Sequence, residues 1–311
     1  MTRIRQRDRP DWRNLALFTL AVLLVGALVL VPALSARWVY NYTHPVRQPI
    51  RDTPADYGLA YDAVTFSSAD GLSLAGWFVY PEDEIGHGAA IILCHGYGAT
   101  RAVALPVAAV LARHGYSVLL FDFRGHGESE GDLVTLGHDE VQDVQGAVTY
   151  LLTCPEVASD SIGVLGQSMG ATIAIRAAAR IPEIRAVVAE GAFASLADLT
   201  ASNFSHLTGL PRFPFAPLMM ALGEWQTGFD TERVRPVDDI AHISPRSVFL
   251  IHGLGDAVVP PENAVRLYEA AREPKCLWQP EGVGHTTAVY KEPTEFEARV
   301  VAFFDEALLV H

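Results

Sequence analysis

Apolar residues are unevenly distributed along the chain, and one long uncharged run lies close to the N-terminus. No charged residue occurs over 14–36, and 15–31 is almost wholly apolar. About 20 such residues in a helix cross a bilayer core of roughly 30 Å, and the run lacks the polar face typical of a core helix. The pattern predicts a transmembrane anchor over 15–36. A cleaved signal peptide is the alternative, because Ala33-Leu34-Ser35 resembles a cleavage site, although the run is longer than the usual signal core.

A proline-containing segment separates this run from the rest of the chain. Pro45, Pro49 and Pro54 favour an extended stalk over 41–58, which leaves 59–311 as one domain. The domain opens with two apolar runs, 61–67 and 72–80, on either side of Asp70-Gly71. Such a pair of runs around Asp-Gly predicts an antiparallel hairpin.

Beyond the hairpin, short apolar runs alternate with segments of helical spacing. The strand-like runs are 89–94, 116–123, 161–165, 186–189, 247–252 and 275–279. The helical segments are 102–113, 140–152, 171–180, 262–272 and 293–309. Strands that alternate with helices predict an α/β fold with a mostly parallel sheet covered on both faces.

The segment 196–244 interrupts this alternation. It is rich in aromatic residues and prolines and contains the pair Met219-Met220. An ordinary helical excursion packed on the core would have this composition, and methionine pairs are more often core residues than substrate contacts. Because the segment directly follows the predicted strand at 186–189, we predict that it is a lid over the active site.

The net charge of the chain and the distribution of its basic residues limit the possible classes of function. The net charge of −13 and the pI near 5.2 argue against nucleic-acid binding, which needs a basic surface. Basic residues are instead concentrated in 1–14, which contains five arginines and two aspartates. By the positive-inside tendency, this basic N-terminal segment would remain in the cytoplasm and the large domain would lie outside the cell membrane. Cleavage of a signal peptide would instead release the domain as a secreted protein.

No metal or cofactor is expected from the sequence. The three cysteines are far apart and form no Cys-x-x-Cys motif, and Cys94 and Cys276 fall in predicted core strands. The chain has no glycine-rich phosphate loop and no His-Glu-x-x-His motif.

The segment 166–170 (Gly-Gln-Ser-Met-Gly) carries the clearest chemical signal. It lies between an apolar run and an alanine-rich helical segment, which predicts a strand, a tight turn and a helix. The turn would expose the hydroxyl of Ser168 and direct the N-terminus of the helix at whatever the serine attacks. Gly166 and Gly170 suit this turn because side chains there would collide across it.

Other polar residues follow the remaining strands. Sites in parallel sheets form beyond the carboxyl ends of the strands, which selects His95, Glu190, Asp256 and His285. Two carboxylates therefore compete for the acid role, and Asp256 is favoured over Glu190 because an order of serine, acid and histidine suits it. Since one base is enough, we interpret His95, His126 and His252 as loop-shaping residues.

Several spaced motifs together resemble those of the α/β-hydrolase superfamily, in particular its serine aminopeptidase-like and dipeptidyl-peptidase-like bacterial hydrolases. The similarity covers about 61–311 and includes Gly-Gln-Ser-Met-Gly at 166–170, His-Gly-Tyr-Gly at 95–98, Asp-Phe-Arg-Gly-His-Gly-Glu-Ser at 122–129, Ile-His-Gly-Leu-Gly-Asp at 251–256 and Gly284-His285. Within the 122–129 motif, we predict that Asp122 and Arg124 pair with each other to fix a loop.

The resemblance implies a role for each site residue. Ser168 would be the nucleophile, His285 the general base, and Asp256 the residue that orients the imidazole. The backbone N–H groups of Tyr97 and Met169 would form the oxyanion hole.

The sequence thus predicts a membrane-anchored serine hydrolase that cleaves carboxylic esters, thioesters or amides through an acyl-enzyme. The aromatic lid favours a small-molecule or lipid-like ester as substrate. A peptidase or an acyltransferase on the same triad, and a non-catalytic binding protein on the same fold, remain as alternatives.

Overall fold

The computed structural model describes residues 12–82 and 86–309. The strands are β1 (Tyr61–Ser67), β2 (Ser73–Val79), β3 (Ala90–Cys94), β4 (Ser117–Phe121), β5 (Ile162–Gln167), β6 (Ile184–Glu190), β7 (Ser247–Ile251) and β8 (Lys275–Trp278). The helices are α1 (Trp12–Thr43), α2 (Leu105–Arg113), α3 (Val141–Leu151), α4 (Met169–Ala178), α5 (Leu196–Thr208), α6 (Arg212–Thr227), α7 (Pro236–Asp239), α8 (Glu262–Ala270), α9 (Ala288–Lys291) and α10 (Pro293–Leu308).

The described strands form one eight-stranded sheet in the order β1-β2-β4-β3-β5-β6-β7-β8. The hairpin of β1 and β2 is antiparallel, as its Asp-Gly turn predicted, and β2 also pairs antiparallel with β4. Every other pairing is parallel. Strands β3, β4 and β5 are buried along their whole length, because helices cover both faces of the sheet. The α/β fold predicted from the alternation is therefore confirmed.

Two apolar cores lie on the two faces of this sheet. One contains side chains of α3, α4 and α8, such as Val144, Ile173 and Leu267. The other contains side chains of α2 and α10, such as Leu105 and Phe304. The sheet is thus held between two helical layers, which leaves the carboxyl ends of its parallel strands free to carry polar residues.

The part of the chain that the structure describes contains one helix that is long and apolar enough to cross a membrane. This helix, α1, has 32 residues and hence a length of about 48 Å at 1.5 Å per residue, more than a bilayer core of roughly 30 Å. Its residues up to Leu34 are almost all exposed, whereas Ser35, Val39 and Thr43 are buried. The first part of α1 is therefore exposed around most of its circumference, and the last turns pack on the domain. The basic segment expected over 1–14 lies outside the described residues except for its last three.

The segment after α1 is attached to the domain. The helix continues to Thr43, three residues into the stalk expected over 41–58. The Arg47 guanidinium then donates hydrogen bonds to four backbone carbonyls in the loop after β4, those of His126, Gly127, Ser129 and Gly131. Val134 N–H also donates to the Thr43 carbonyl at 2.8 Å. These contacts fix the end of α1 against the loop that follows β4.

Helices α5 and α6 form an insertion between β6 and β7, where the sequence predicted one over 196–244. The insertion packs on the last turns of α1 through a small apolar cluster of Val39, Phe204, Ala216 and Met219. Met219 is buried in this cluster, as expected for a core methionine.

The two cysteines assigned to core strands differ in their surroundings. Cys94 in β3 is buried, whereas Cys276 is exposed, so the expectation of a buried Cys276 was wrong. The reason is the position of β8 at the edge of the sheet, where one face of the strand is open to solvent.

Candidate active site

Ser168 lies at the tip of a sharp turn between β5 and α4. Its backbone has φ 56° and ψ −118°, a left-handed conformation that non-glycine residues rarely adopt. The flanking glycines make the turn possible. A Cβ at Gly166 would lie 2.2 Å from the Gly170 carbonyl oxygen, and a Cβ at Gly170 would lie 2.1 Å from the Cys94 carbonyl oxygen. The collision predicted across the turn is therefore confirmed for Gly166, whereas a side chain at Gly170 would collide with the end of β3 instead.

A continuous chain of hydrogen bonds joins Ser168, His285 and Asp256. Ser168 Oγ lies 2.8 Å from His285 Nε2, and His285 Nδ1 lies 2.6 Å from Asp256 Oδ2. The serine follows β5, the aspartate follows β7 and the histidine follows β8. The parallel sheet thus brings to one edge three side chains that are far apart in sequence.

The carboxylate of Asp256 is stabilised in its ionised form. Oδ1 accepts hydrogen bonds from the N–H groups of Val258 and Val259, at 2.8 and 2.9 Å. Oδ2 lies 3.2 Å from His252 Nε2, in addition to its contact with His285. Burial raises the pKa of Asp256, but the hydrogen bonds from His252 and His285 outweigh it, and the pKa is held well below its usual range. A charged Asp256 can hold Nδ1 of His285 in its protonated tautomer, which leaves Nε2 to accept a proton.

The sequence pattern did not predict the contact between His252 and Asp256. It assigned His252 only to shaping a loop, and Nε2 does lie 2.9 Å from the Val259 carbonyl oxygen. The available signal was the short spacing in 252–256 (His-Gly-Leu-Gly-Asp), which folds into a turn. The backbone pattern does not reveal that this turn points the imidazole at the carboxylate.

Glu190, the competing acid, follows β6 and is fully buried. Its Oε2 accepts a hydrogen bond from the Gln167 side chain and its Oε1 accepts one from Ala288 N–H, both at 3.0 Å. Burial raises the pKa of Glu190, although these hydrogen bonds oppose the shift. Through these two hydrogen bonds, Glu190 links the serine turn to the segment just after His285.

Tyr97 and Met169, the expected oxyanion-hole residues, belong to the two segments that meet at Ser168. Met169 is the first residue of α4. Gly96 lies directly against the serine, because a Cβ built on it would be 3.4 Å from Ser168 Cβ. Among the residues that the structure describes, the N–H groups of Tyr97 and Met169 donate to no other protein group. These two N–H groups therefore have no protein partner among the described residues, as the donors of an oxyanion hole require.

His95 and His126 shape the loop that carries Tyr97. His95 Nε2 accepts from Phe123 N–H at 3.0 Å, and His126 Nε2 accepts from Gly98 N–H at the same distance. Their Nδ1 atoms face the carbonyls of Gly96 and Arg124, so each ring is a neutral Nδ1–H tautomer. Their surroundings match the loop-shaping role predicted for them.

The neutral state of His95 makes a prediction for stability against pH. Burial, and then the neighbouring His126, lower the pKa of His95 to about 3, against about 6.5 in an unfolded chain. The unfolded chain therefore binds an extra proton below pH 6.5, and stability is lost as the pH falls. Between pH 7 and pH 5 this loss is about 2 kcal/mol.

The measurement is equilibrium unfolding of the full chain in mild detergent at the two pH values. The matched variant is His95→Gln, whose amide oxygen can still accept from Phe123 N–H but does not titrate. Its stability should fall by about 2 kcal/mol less than that of the native chain over this pH range. Equal losses in the two chains would contradict the prediction.

The predicted pairing of Asp122 with Arg124 was wrong. Asp122 pairs with the buried Arg101, while the Arg124 guanidinium bonds Asp143 of α3 and Asp70 of the hairpin at 2.6 and 2.7 Å. The two side chains belong to one loop but point to different elements around it. The three ion pairs still fix the loop.

An apolar space lies beside the Tyr97 loop, between the last turns of α1 and the insertion helices. Its cavity volume is about 80 Å³. Most of its lining is apolar, and the lining residues are Trp38, Val39, Tyr42, Thr43, Val134, Leu136, Leu196, Thr200, Phe204, Met219, Met220, Gly223, Thr227, Phe229 and Thr231.

A mostly parallel sheet with a serine at a strained turn after β5 defines the class of the α/β hydrolases. Residues 85–219 match the family model described as serine aminopeptidase, S33. The chain is 30% identical over 222 residues to the uncharacterized protein YfhR of Escherichia coli K12, covering 70% of each chain. It is 28% identical over 268 residues to YfhR of Salmonella typhi, covering 84% of each.

A solved structure supports the same placement. The esterase Pf2001 of Pyrococcus furiosus has a TM-score of 0.70 and 28% identity, over 85% of this chain and 99% of that chain. The chain therefore belongs to the α/β-hydrolase superfamily, among its esterase-like and peptidase-like members.

Proposed function

We propose that this protein is a serine hydrolase that α1 anchors in a membrane, and that it cleaves carboxylic esters through an acyl-enzyme. The observation that carries the proposal is the hydrogen-bonded chain from Ser168 through His285 to Asp256. A serine hydroxyl is a poor nucleophile until a base within hydrogen-bond reach takes its proton, and His285 Nε2 lies within that reach.

The reaction follows from this geometry. Ser168 Oγ attacks the carbonyl carbon of the ester as its proton passes to His285 Nε2, and the negative charge of Asp256 stabilises the resulting imidazolium. The N–H groups of Met169 and Tyr97 stabilise the oxyanion, and one such donor is typically worth 10²–10³ in kcat. The imidazolium then gives its proton to the leaving alcohol, and a water molecule activated by the same histidine hydrolyses the acyl-enzyme.

The apolar space beside the Tyr97 loop supports an ester with an apolar acyl group over a peptide. None of the described residues that line it is charged, so they offer no carboxylate partner for a peptide amine. In this proposal the insertion over 196–244 is the lid of the catalytic domain at 59–311. The second candidate is a serine peptidase, which the description of the matching family model favours. Turnover of aminoacyl anilides that exceeds turnover of short p-nitrophenyl esters would select the peptidase.

The proposed topology places the N-terminus in the cytoplasm and the catalytic domain outside. It is supported by the exposed apolar surface of α1 and by the arginines that precede it in the sequence.

A fluorophosphonate probe tests the proposed mechanism on the folded full chain. We expect the native chain to be labelled on Ser168, as mapped by mass spectrometry, and Ser168→Ala to remain unlabelled. Fluorophosphonates react with a serine whose proton is taken by a neighbouring base, whereas an ordinary surface serine reacts too slowly to be labelled. A folded native chain that does not react would contradict the proposal, and so would labelling at another residue.

A further inference from the structure

The apolar space beside the Tyr97 loop is bounded on one side by α1, the helix proposed as the membrane anchor. Trp38, Val39, Tyr42 and Thr43 of α1 contribute to its wall. The hydroxyl of Thr43 bonds the Val39 carbonyl at 2.9 Å, so it presents no free donor to the space. An anchor that served only as a tether would not need to line a cavity of the domain.

The space lies one aromatic ring away from the proposed oxyanion hole. The ring of Tyr42 stacks on the ring of Tyr97, with centroids 4.8 Å apart. The Tyr97 hydroxyl donates a hydrogen bond to the Tyr42 carbonyl at 2.7 Å. Residue 97 also supplies one of the two backbone N–H groups beside Ser168. Tyr42 therefore joins the wall of the space directly to the loop that carries one proposed oxyanion-hole residue.

A second apolar space borders the first on the side of the N-terminal part of α1. Its cavity volume is about 340 Å³, and it shares Trp38 and Met219 with the first space; its other lining residues are Val31, Leu34, Ser35, Thr208, Leu210 and Phe215. Val31 and Leu34 belong to the uncharged run of α1. The two spaces together line α1 from Val31 to Thr43.

The outer surface of the insertion also carries exposed apolar side chains near the second space. Phe213 and Trp225 are each 80% exposed, and Leu210 is exposed next to the second space. Aromatic side chains of this kind are enriched where a protein meets the membrane–water interface. The insertion thus has a surface that suits contact with the same bilayer that α1 would cross.

We infer that the substrate is a long-chain acyl ester taken from the bilayer, and that its acyl chain lies between α1 and helices α5 and α6. This inference rests on the proposed serine-hydrolase function and names the substrate class of that site. The last turns of α1 then form one wall of the substrate site, in addition to anchoring the protein. Each buried methylene group of the chain lowers KM roughly fourfold, as long as the space can hold it.

Filling the space tests the inference. Gly223 of α6 lines it, and a Cβ built on this residue would contact Val39 at an ordinary distance of 3.5 Å. Gly223→Met therefore adds a side chain to the space without a backbone collision. Ala221→Met is the matched control, because Ala221 lies on the same helix and is exposed.

The readout is kcat/KM of the full chain for p-nitrophenyl butanoate and p-nitrophenyl dodecanoate. We expect the native chain to prefer the longer ester, Gly223→Met to lower the dodecanoate-to-butanoate ratio at least tenfold, and Ala221→Met to leave it unchanged. An unchanged ratio in Gly223→Met, or equal losses in the two variants, would overturn the inference. If Gly223→Met does not fold, judged by loss of fluorophosphonate labelling, Thr200→Leu fills the same space from α5 and replaces it.

The proposed function can fail separately from the inference. A native chain that hydrolyses neither ester would remove the proposed function, and the inference with it. A native chain that hydrolyses the butanoate but does not favour the dodecanoate would retain the function and overturn the inference.

The source of the acyl chain is tested in phosphatidylcholine vesicles. The dodecanoate ester is placed either in the same vesicles as the reconstituted protein or in separate protein-free vesicles. We expect faster initial turnover when ester and protein share a bilayer. Equal initial rates would mean that the chain enters from water, and would overturn the bilayer as its source.

Discussion

Replacing Ser168 by alanine is expected to lower kcat for a short-chain ester about 10⁶-fold. Alanine has no oxygen to attack the carbonyl carbon, so only substrate binding and the two backbone N–H groups would remain to promote attack by water. Steady-state hydrolysis of p-nitrophenyl butanoate by the full chain measures this loss. Thermal unfolding should change little, because alanine keeps the backbone of the turn and Ser168 is only half-buried.

Ser202→Ala is the matched control for this prediction. Ser202 is exposed on α5 and its hydroxyl bonds the Leu199 carbonyl at 3.1 Å, within its own helix. This variant should keep full activity. A Ser168→Ala chain that retained more than about one hundredth of native kcat would show that another group is the nucleophile.

Replacing Asp256 by asparagine is expected to lower kcat about 10⁴-fold without unfolding the protein. The asparagine oxygen can still accept from the N–H groups of Val258 and Val259, which turns its NH₂ group toward His285 Nδ1. Nδ1 must then lose its proton, and the proton moves to Nε2, which can no longer accept one from Ser168. The ester assay measures the loss, and circular dichroism checks the fold.

Glu190→Gln is the comparison that separates the two carboxylates which the sequence left in competition. A glutamine oxygen can still accept from Ala288 N–H, so we expect kcat to stay within about tenfold of the native value. Should Glu190→Gln lose the 10⁴-fold and Asp256→Asn stay active, the acid role proposed for Asp256 would be wrong.

Much of the fold could be predicted from local patterns. The Asp70-Gly71 turn, the alternation of apolar runs with helical segments and the place of the insertion each depend on residues close together in the chain. The strained turn at Ser168 was readable for the same reason, because Gly166 and Gly170 lie two residues on either side of it. Whether a strand lies at the edge of the sheet depends on residues far away in the sequence. The local pattern therefore wrongly predicted that Cys276 is buried.

Contacts between loops could not be predicted in this way. Asp122 and Arg124 are two residues apart, yet one pairs with Arg101 and the other with Asp143 and Asp70. The strength of an ion pair depends on distance and on burial, and both are set by elements that the sequence pattern does not orient.

By itself, the sequence determined the residue types of the candidate site, their order along the chain, the parallel sheet that carries them and an apolar N-terminal helix. Only the tertiary structure decided that Asp256 and not Glu190 lies against His285, that His252 contacts the same carboxylate, and that α1 closes an apolar space beside Tyr97. The periodicity of apolar residues fixes strands and helices because it reflects which face of each element is buried. The contacts that select one acid, or place a helix against an insertion, join residues tens to hundreds of positions apart and arise only when those faces pack together.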